Sequence, residues 1–260
     1  MNHRMSEILR RYGQALVGLG IDPRKLIALR GYPKYRRNLR AFRKAGGAVT
    51  HKYVILSNFT DQAGTAKGHY FHQDLLVASL IFENKPKKHI DVGSRIDGFV
   101  AHVASFRPIE VYDVRPLKDT GHPNIMFTEA DLMRESNNNS GVTDSLSCLH
   151  AIEHFGLGRY GDDVDPAGHL KGFRNLLDML KVSGRLYISF PIGRQDEVHF
   201  NAHRVFHPRS ILSWPTGGAS LTLERFDYVD DQGFLHKQAD IDECAIGIRY
   251  GCGIYTFKKN

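Results

Sequence analysis

Three aspartates stand at or just after the ends of short apolar runs, where a carboxylate can bind a ligand. Asp91 lies in HIDV, Asp113 ends IEVYD, and Asp131 lies in FTEADLM. A carboxylate at the end of the second strand of an open α/β sheet, about 20 residues after the first turn, accepts both hydroxyls of a ribose. Asp131 could receive an adenine amino group while Leu132 covers the ring. These acids predict a ligand that contains adenosine, and the alternative is that they cap helices.

The turn VGSRIDG, residues 92–98, follows the first of these strands, and its residues exclude some classes of ligand from this site. The dinucleotide fingerprint G-x-G-x-x-G needs a second glycine so that the backbone can approach a pyrophosphate. Two positions after Gly93 the chain has Arg95, whose side chain would crowd that approach. A P-loop is absent from the turn as well, because no Gly-Lys-Ser/Thr follows. Gly93 and Gly98 therefore predict a turn around a part of the ligand that carries no phosphate.

The elements that must position these residues alternate along the chain. Short apolar runs recur at 89–92, 109–113, 125–128, 144–149 and 185–190, separated by segments long enough for crossover helices. The alternation predicts an α/β fold with a Rossmann-like, doubly wound and mostly parallel sheet. LTLERFDYV and GIYTFKK near the end of the chain have no helical crossover between them. They predict an antiparallel strand at the edge of the sheet.

The first part of the chain is basic and has helical patterns at residues 5–19 and from Pro33 towards Gly46. We expect a basic helical N-terminal cap over residues 1–67 and a Rossmann-like domain over 68–260. The net charge is +7, and residues 24–44 carry much of it. A solvated helix face, a membrane surface or anionic substrate, and nucleic acid all remain open as explanations. Nucleic acid is the least favoured partner, because the sequence has no helix-turn-helix, zinc-finger or RNP signature.

The sequence also bears on the cellular compartment of the protein and on metal binding. The three cysteines form no C-x-x-C pair, which argues against a disulfide framework and against a thiolate zinc site. No run approaches the ~20 apolar residues that span a bilayer, so we expect a cytoplasmic protein, at most at the inner face of the membrane. His199, His203 and His207 would share a helix face, but Pro208 ends any such helix. We therefore expect no metal.

Taken together, the motifs resemble the class I S-adenosylmethionine-dependent methyltransferases over residues 68–258. DVGSRIDG is similar to their first motif, VYDV to the acid of their second strand, and EADLM to their adenine loop. DSLSCLHAIEHFGLGRYGDDVDPAG and FPIGRQDEVHFNAHRVFHP are similar to a branch of the superfamily that carries only an unknown-function label and is often associated with polysaccharide biosynthesis. Arg95 departs from the usual Gly-x-Gly-x-Gly turn, and it could pair with the carboxylate of the cofactor's methionine part.

The resemblance implies S-adenosylmethionine as the cofactor and assigns roles to particular residues. Cofactor contacts are expected from Asp91, Gly93, Arg95, Gly98, Asp113, Asp131, Leu132, His150, Tyr70 and Gln73. The expected catalytic bases are His154, which follows the fourth strand where the superfamily lines its methyl-transfer pocket, and His199, which follows the fifth. Contacts with the acceptor are expected from Glu153, Arg159, Tyr160, Asp163 and His203. The alternative for each catalytic histidine is that it donates to a carbonyl and holds a loop.

The implied chemistry is an in-line methyl transfer to a polar acceptor, and the acceptor we expect is a hydroxyl of a sugar or glycan intermediate. A hydroxyl needs a base within hydrogen-bond reach, and no covalent intermediate is required. An anionic or lipid-linked acceptor would agree with the basic N-terminal segment. Two alternatives stay open, a non-catalytic binding module on the same fold and a nicotinamide-dependent sugar-modifying enzyme. Arg95 and the missing Y-x-x-x-K pair count against the second.

Overall fold

The computed structural model describes residues 28–59, 63–134 and 140–260. The chain divides into two compact units, Met1–Thr65 and Ala66–Asn260. The helix expected at residues 5–19 lies outside the described residues. Across the described part of the chain, no helix combines the length and the apolar character needed to cross a membrane.

The first unit contains helix α1, Tyr32–Lys44. Pro33 lies in its first turn, where the fixed φ and the missing N–H of proline suit a helix start. Arg43 and Lys44 lie in its last turn, where positive charge interacts favourably with the helix dipole. No residue of α1 is buried, so its basic side chains are available to solvent or to a partner.

The second unit contains ten strands in its described residues. They are β1 His89–Val92, β2 Ile109–Asp113, β3 Ile125–Glu129, β4 Thr143–Leu149, β5 Leu180–Gly193, β6 Glu197–His199, β7 His203–Val205, β8 Leu221–Val229, β9 Leu235–His236 and β10 Tyr250–Lys259. Eight of them form one sheet in the order β3-β2-β1-β4-β5-β10-β8-β9, and β6 pairs with β7 in a separate hairpin.

The sheet is parallel from β3 to β5 and antiparallel beyond β5. Strand β1 is parallel to both β2 and β4, and all four of its residues are buried, as expected for a strand covered on both faces. Strand β10 is antiparallel to β5 and to β8. The predicted fold class, a mostly parallel doubly wound sheet with an antiparallel edge, is confirmed.

Helices cover both faces of the sheet. They are α2 His69–Asn84, α3 Ala101–Ala104, α4 Gly168–Met179 and α5 Ile241–Gly247. Helix α4 contributes Phe173 and Leu176 to one apolar core, and helix α2 contributes Val77 and Ile81 to the other. Helix α5 lies between β9 and β10, where the sequence predicted no helix. Asp240 is the N-cap of α5, and its side chain accepts hydrogen bonds from two backbone N–H groups.

Candidate active site

A pocket lies where the strand order of the sheet reverses. The chain runs outward from β1 to β2 and β3, and then crosses to β4 on the other side of β1. In open α/β sheets, ligands bind outside the carboxyl ends of the strands at such a reversal. The pocket at these ends is lined by the following residues predicted from the sequence: Gly93, Asp113, Asp131, Leu132, His150, His154 and Tyr160.

The turn after β1 brings the backbone close to the loop after β4. Gly93 has φ +73°, which glycine adopts without the strain that a side chain would add. Its N–H donates to the carbonyl oxygen of Tyr112 over 2.8 Å. A Cβ placed on Gly93 would come within 2.8 Å of the Cβ of Ala151. The backbone angle and the close approach both require glycine at this wall of the pocket.

Asp91 is fully buried below this turn and ties it to β4. Its carboxylate accepts hydrogen bonds from the N–H and Oγ of Ser94 (3.1 and 2.7 Å) and from Oγ of Ser147 (2.5 Å). Burial raises the pKa of Asp91 to about 7, although the serine hydrogen bonds act to lower it. Asp91 therefore holds the turn after β1 in place.

Asp113, at the end of β2, presents to the pocket a carboxylate that is already oriented. Arg115 donates to it from Nε, Nη2 and the backbone N–H over 2.6–2.9 Å, and such a bidentate pair fixes the plane of the carboxylate. The Arg115 guanidinium also lies 4.6 Å from the centre of the Tyr160 ring. Oδ1 accepts two of these hydrogen bonds and Oδ2 accepts one, so Oδ2 retains a lone pair for a ligand hydroxyl. Arg115 was not among the residues predicted from the sequence, although its position two residues after a strand-end acid was a usable signal.

Asp131 and Leu132 form the adjoining wall after β3. Oδ1 of Asp131 accepts from the N–H of Met133 over 2.9 Å, and its Oδ2 lies 3.4 Å from Nε of Arg134. The carboxylate thus closes a local turn and lines the pocket as well, so the two roles considered from the sequence are compatible. Leu132 is buried and gives this wall an apolar surface.

His154 lies on the opposite wall, in the short 3₁₀ turn Ile152–His154 that follows β4. Nδ1 of His154 lies 2.8 Å from the carbonyl oxygen of Ala202. Because a carbonyl only accepts, Nδ1 carries the proton and Nε2 of the neutral ring carries the lone pair. Burial lowers the pKa of His154 below its ordinary value, which keeps the ring neutral at physiological pH. The arrangement supplies a basic nitrogen at the pocket wall.

Beside the pocket, His150 belongs to a cluster of rings that the sequence did not reveal. Nδ1 of His150 lies 2.8 Å from Oε1 of the buried Glu153, and His69 stacks on the His150 ring with centroids 5.3 Å apart. Tyr70 packs against the same ring at 5.0 Å. Sγ of Cys252, on β10, lies within 4.8 Å of ligand atoms of both histidines. Tertiary folding alone brings these distant positions together.

His199 and His203 lie on the β6–β7 hairpin and not on the shared helix face that their spacing allows. The two residues pair directly across the hairpin, with ring centroids 5.2 Å apart. Nε2 of His199 lies 2.8 Å from Oε2 of Glu197. The His203 ring lies 6.4 Å from that of His154. His199 therefore sits at an exposed rim, and His203 lies between that rim and the pocket.

The remaining predicted residues lie outside the pocket lining. Tyr70, Arg95 and Gly98 line a second hollow beside α2, where Arg95 forms an ion pair with Asp97 at 2.8 Å. The other three are Gln73, Arg159 and Asp163. Buried Gln73 accepts a hydrogen bond from Oγ of Ser189 at 2.7 Å, and Arg159 donates to the carbonyl of Ala202 at 2.8 Å. Exposed Asp163 forms an ion pair with Arg134 at 3.1 Å.

The chain is similar to known proteins in its fold, and these similarities do not identify a reaction. A family described as "Caenorhabditis protein of unknown function, DUF268" matches residues 124–212, which is less than half of the chain. A search of curated protein sequences returns no significant match.

Solved structures similar to this chain share its architecture at low sequence identity. The [4+2]-cyclase SpnF is 15% identical with a TM-score of 0.53, over 83% of this chain and 90% of SpnF. The N-methyltransferase NodS from Bradyrhizobium japonicum WM9, in complex with S-adenosyl-L-homocysteine, is 14% identical with a TM-score of 0.48, over 74% and 88%. The 1,6-didemethyltoxoflavin-N1-methyltransferase from Burkholderia thailandensis is 11% identical with a TM-score of 0.49, over 87% of both chains. The sheet topology and the similarity to SpnF confirm the Rossmann-like fold predicted from the sequence.

Proposed function

We propose that this protein is an S-adenosylmethionine-dependent methyltransferase whose acceptor is a hydroxyl of a sugar or glycan intermediate. The observation that carries the proposal is the pocket at the reversal of strand order, with Asp113 and Asp131 at the ends of successive parallel strands. Carboxylates in that order suit a ribose and then an adenine. The absence of the glycine pattern for phosphates from VGSRIDG favours a nucleoside cofactor without a pyrophosphate.

Each pocket residue then has a role that its contacts support. The oriented carboxylate of Asp113 accepts a hydrogen bond from the ribose at Oδ2, Asp131 receives the adenine amino group, and Leu132 packs on the adenine ring. The cofactor supplies an electrophilic methyl group on a sulfonium. Nε2 of His154 accepts the proton of the acceptor hydroxyl, and Tyr160 lies beside it with ring centroids 5.5 Å apart. Holding the acceptor in a near-attack pose supplies most of the rate enhancement in such a displacement.

A calorimetric titration of the purified full-length protein with S-adenosylhomocysteine, run beside NAD⁺, tests the cofactor. We expect micromolar binding of S-adenosylhomocysteine and no binding of NAD⁺. Binding of NAD⁺ alone would replace this proposal with the nicotinamide-dependent enzyme, and binding of neither would contradict it.

Assays with labelled S-adenosylmethionine and nucleotide-sugar or lipid-linked sugar acceptors test the reaction. We expect label in a base-stable methyl ether on the sugar. This second test is needed because the fold is also similar to that of the [4+2]-cyclase SpnF, whose name describes a reaction other than methyl transfer. Cofactor binding without transfer to any hydroxyl acceptor would favour the non-catalytic binding module.

A finer proposal concerns where the acceptor is met. The exposed basic face of α1 supports a peripheral contact of the protein with an anionic membrane surface or with an anionic acceptor. Arg36, Arg37 and Arg40 lie together on that face with Tyr32. Binding of the full-length protein to vesicles with and without anionic lipid tests this contact.

A further inference from the structure

Three side chains from three separate elements converge beside the pocket. His69 is the first residue of α2, His150 follows β4, and Cys252 lies in β10. One nitrogen of each histidine and the sulfur of Cys252 all lie within 4.8 Å of one another. Two imidazoles and a thiol form a donor set that suits Zn²⁺, a borderline-soft cation that prefers nitrogen and sulfur ligands.

His150 is held in the orientation that a metal ligand needs. Its side chain is only 6% exposed, and Nδ1 lies 2.8 Å from Oε1 of Glu153. The other ring nitrogen, Nε2, is buried and has no partner at full hydrogen-bond distance among the described residues, and besides Glu153 the side chain of Cys252 also interacts with this ring. An unpaired buried polar atom is costly, and coordination to a cation would satisfy it. Metal-ligating histidines commonly hold a carboxylate with the second nitrogen in this way.

We propose that His69, His150 and Cys252 bind a zinc ion. The sequence predicts no metal, because the cysteines form no C-x-x-C pair and Pro208 ends any helix that would align His199, His203 and His207. His69, His150 and Cys252 are far apart in the chain. The fold brings them together and places two nitrogens and one sulfur around a common point. The site does not depend on the identity of the nucleoside cofactor, so it can exist whether or not the methyltransferase proposal holds.

The distances allow a tetrahedral ion after a small movement. Zn–N bonds of about 2.0–2.1 Å and Zn–S bonds of about 2.3 Å separate tetrahedral ligand atoms by roughly 3.3–3.8 Å. The three donors lie within 4.8 Å of one another, so they need to approach one another by about 1.5 Å at most. His69 is only partly buried and stands at the start of α2, so rotation of its side chain can supply this movement. The Cys252 thiol releases its proton when the Zn–S bond forms.

Three protein ligands leave a fourth position on the ion, which is the pattern of catalytic zinc sites and not of closed structural ones. His150 lines the pocket as well as this cluster. The fourth position is thus available at the edge of the pocket to water or to an oxygen of a bound substrate. The chemical class of ligand that would complete the site is an alcohol, alkoxide or water oxygen.

Metal titration of the untagged, full-length protein tests the site directly. After treatment with a chelator, the protein is titrated with ZnCl₂ by calorimetry and with CoCl₂ by absorption spectroscopy. We expect one ion per chain and a thiolate-to-cobalt charge-transfer band. His69→Gln and Cys252→Ser should each weaken zinc binding at least tenfold, and Cys252→Ser should also abolish the charge-transfer band.

Matched controls use residues of the same types outside the cluster. His122→Gln changes an exposed loop histidine, and Cys244→Ser changes another buried cysteine, so both should keep the affinity and the cobalt band. His69→Gln changes a partly exposed residue and keeps the proposal testable if Cys252→Ser fails to fold. Sub-stoichiometric binding to the wild type, a cobalt spectrum without the thiolate band, or unchanged zinc affinity in a folded His69→Gln variant would overturn the site.

A further variant tests the role of Glu153 as a positioning residue. Glu153→Gln keeps the size of the side chain but weakens its interaction with Nδ1 of His150. We expect zinc affinity to fall about 10–100-fold while the cobalt charge-transfer band remains. S-adenosylhomocysteine binding, measured on the same samples without zinc, separates failure of the metal site from failure of the cofactor proposal.

Discussion

Single residues of the pocket differ in what their surroundings leave free for a ligand. Asp113 has its carboxylate plane fixed by Arg115, whereas His154 has Nδ1 engaged by a carbonyl and Nε2 3.8 Å from Oε1 of Glu153, a carboxylate that would stabilise the protonated ring. The first arrangement suits the binding of hydroxyls, and the second suits the acceptance of a proton. The two side chains therefore call for different measurements.

His154→Ala should lower the methyl-transfer kcat by at least 100-fold, because it removes the nitrogen that accepts the proton of the acceptor. The Kd for S-adenosylhomocysteine should change by less than about threefold, since a general base contributes to the transition state more than to cofactor binding. Steady-state kinetics and calorimetry measure the two quantities. Turnover that survives in His154→Ala would assign to His154 only the task of holding the Ala202 loop, and His122→Gln serves as the control.

Asp113→Ala should weaken S-adenosylhomocysteine binding by about 1–3 kcal/mol, because the ribose hydroxyls lose their acceptor and Arg115 loses its partner. Calorimetry of the variant beside Asp119→Ala makes the comparison. Asp119 lies in the loop after the same strand, and its side chain accepts only from the N–H of Gly121 among the described residues. Equal affinities of the wild type and Asp113→Ala would remove the ribose role.

At the scale of elements, the site depends on how closely the turn after β1 approaches the loop after β4. Asp91, Ser94 and Ser147 join these two segments below the pocket, and Gly93 meets Ala151 above them. Neither segment by itself forms a pocket wall. The parallel pairing of β1 with β4 brings them together.

Gly93→Ala should destabilise the protein by about 1–3 kcal/mol, because alanine is strained at positive φ and its Cβ would overlap that of Ala151. Ala151→Gly in the same chain should recover part of this loss by removing the second Cβ, while the backbone strain remains. Urea unfolding of both single variants and the double variant gives the coupling free energy. Gly247→Ala is the control, because a Cβ at Gly247 meets open space. Strict additivity of the two single changes would contradict the close approach of Gly93 to Ala151.

At the scale of the whole molecule, the buried Asp91 makes stability depend on pH. Its pKa is about 7 when folded, against 3.8 for an unburied aspartate. Between these values the folded state holds a proton that the unfolded state has lost, so the contribution of Asp91 to stability falls as pH rises. The shift of about three units corresponds to a loss of up to about 4 kcal/mol, reached above pH 7.

Asp91→Asn should remove this dependence, because an amide does not titrate. We expect the stability of the variant relative to the wild type to increase steadily from pH 4 to pH 7 and then to level off. Urea unfolding at a series of pH values measures the difference, in which contributions from other titrating groups cancel. A difference that is constant over this range would show that Asp91 is ionised in the folded protein even at pH 4.

The basic helix α1 gives a second prediction for the whole molecule. The full-length protein should bind vesicles that contain phosphatidylserine more tightly than neutral vesicles, and binding should weaken as salt screens the charges. The triple change of Arg36, Arg37 and Arg40 to Gln should lose about 1 kcal/mol per charge. Sedimentation with vesicles at low and high salt provides the measurement. Equal binding to neutral vesicles would instead assign the positive charge to solvation.

The sequence by itself determined the fold class and the residues at the carboxyl ends of the strands. Apolar runs that alternate with crossover segments indicate a buried parallel sheet, because each strand must be apolar to be covered on both faces. Asp113 and Asp131 could be found for the same reason, since polar residues that end such runs are forced to the edge of the sheet. Arg95 could not be placed, because its orientation depends on a local ion pair with Asp97.

The tertiary structure alone decided which residues meet across the pocket. His199 and His203 belong to a hairpin and not to a helix, because their direct pairing across two short strands depends on long-range backbone contacts. Helix α5 was missed because a short helix capped by Asp240 carries too few residues for a periodic signal. His69, His150 and Cys252 are joined only by the packing of α2 and β10 near the carboxyl end of β4. Spacing along the chain reports neighbours within one element, whereas a cluster of this kind needs the folded arrangement of three.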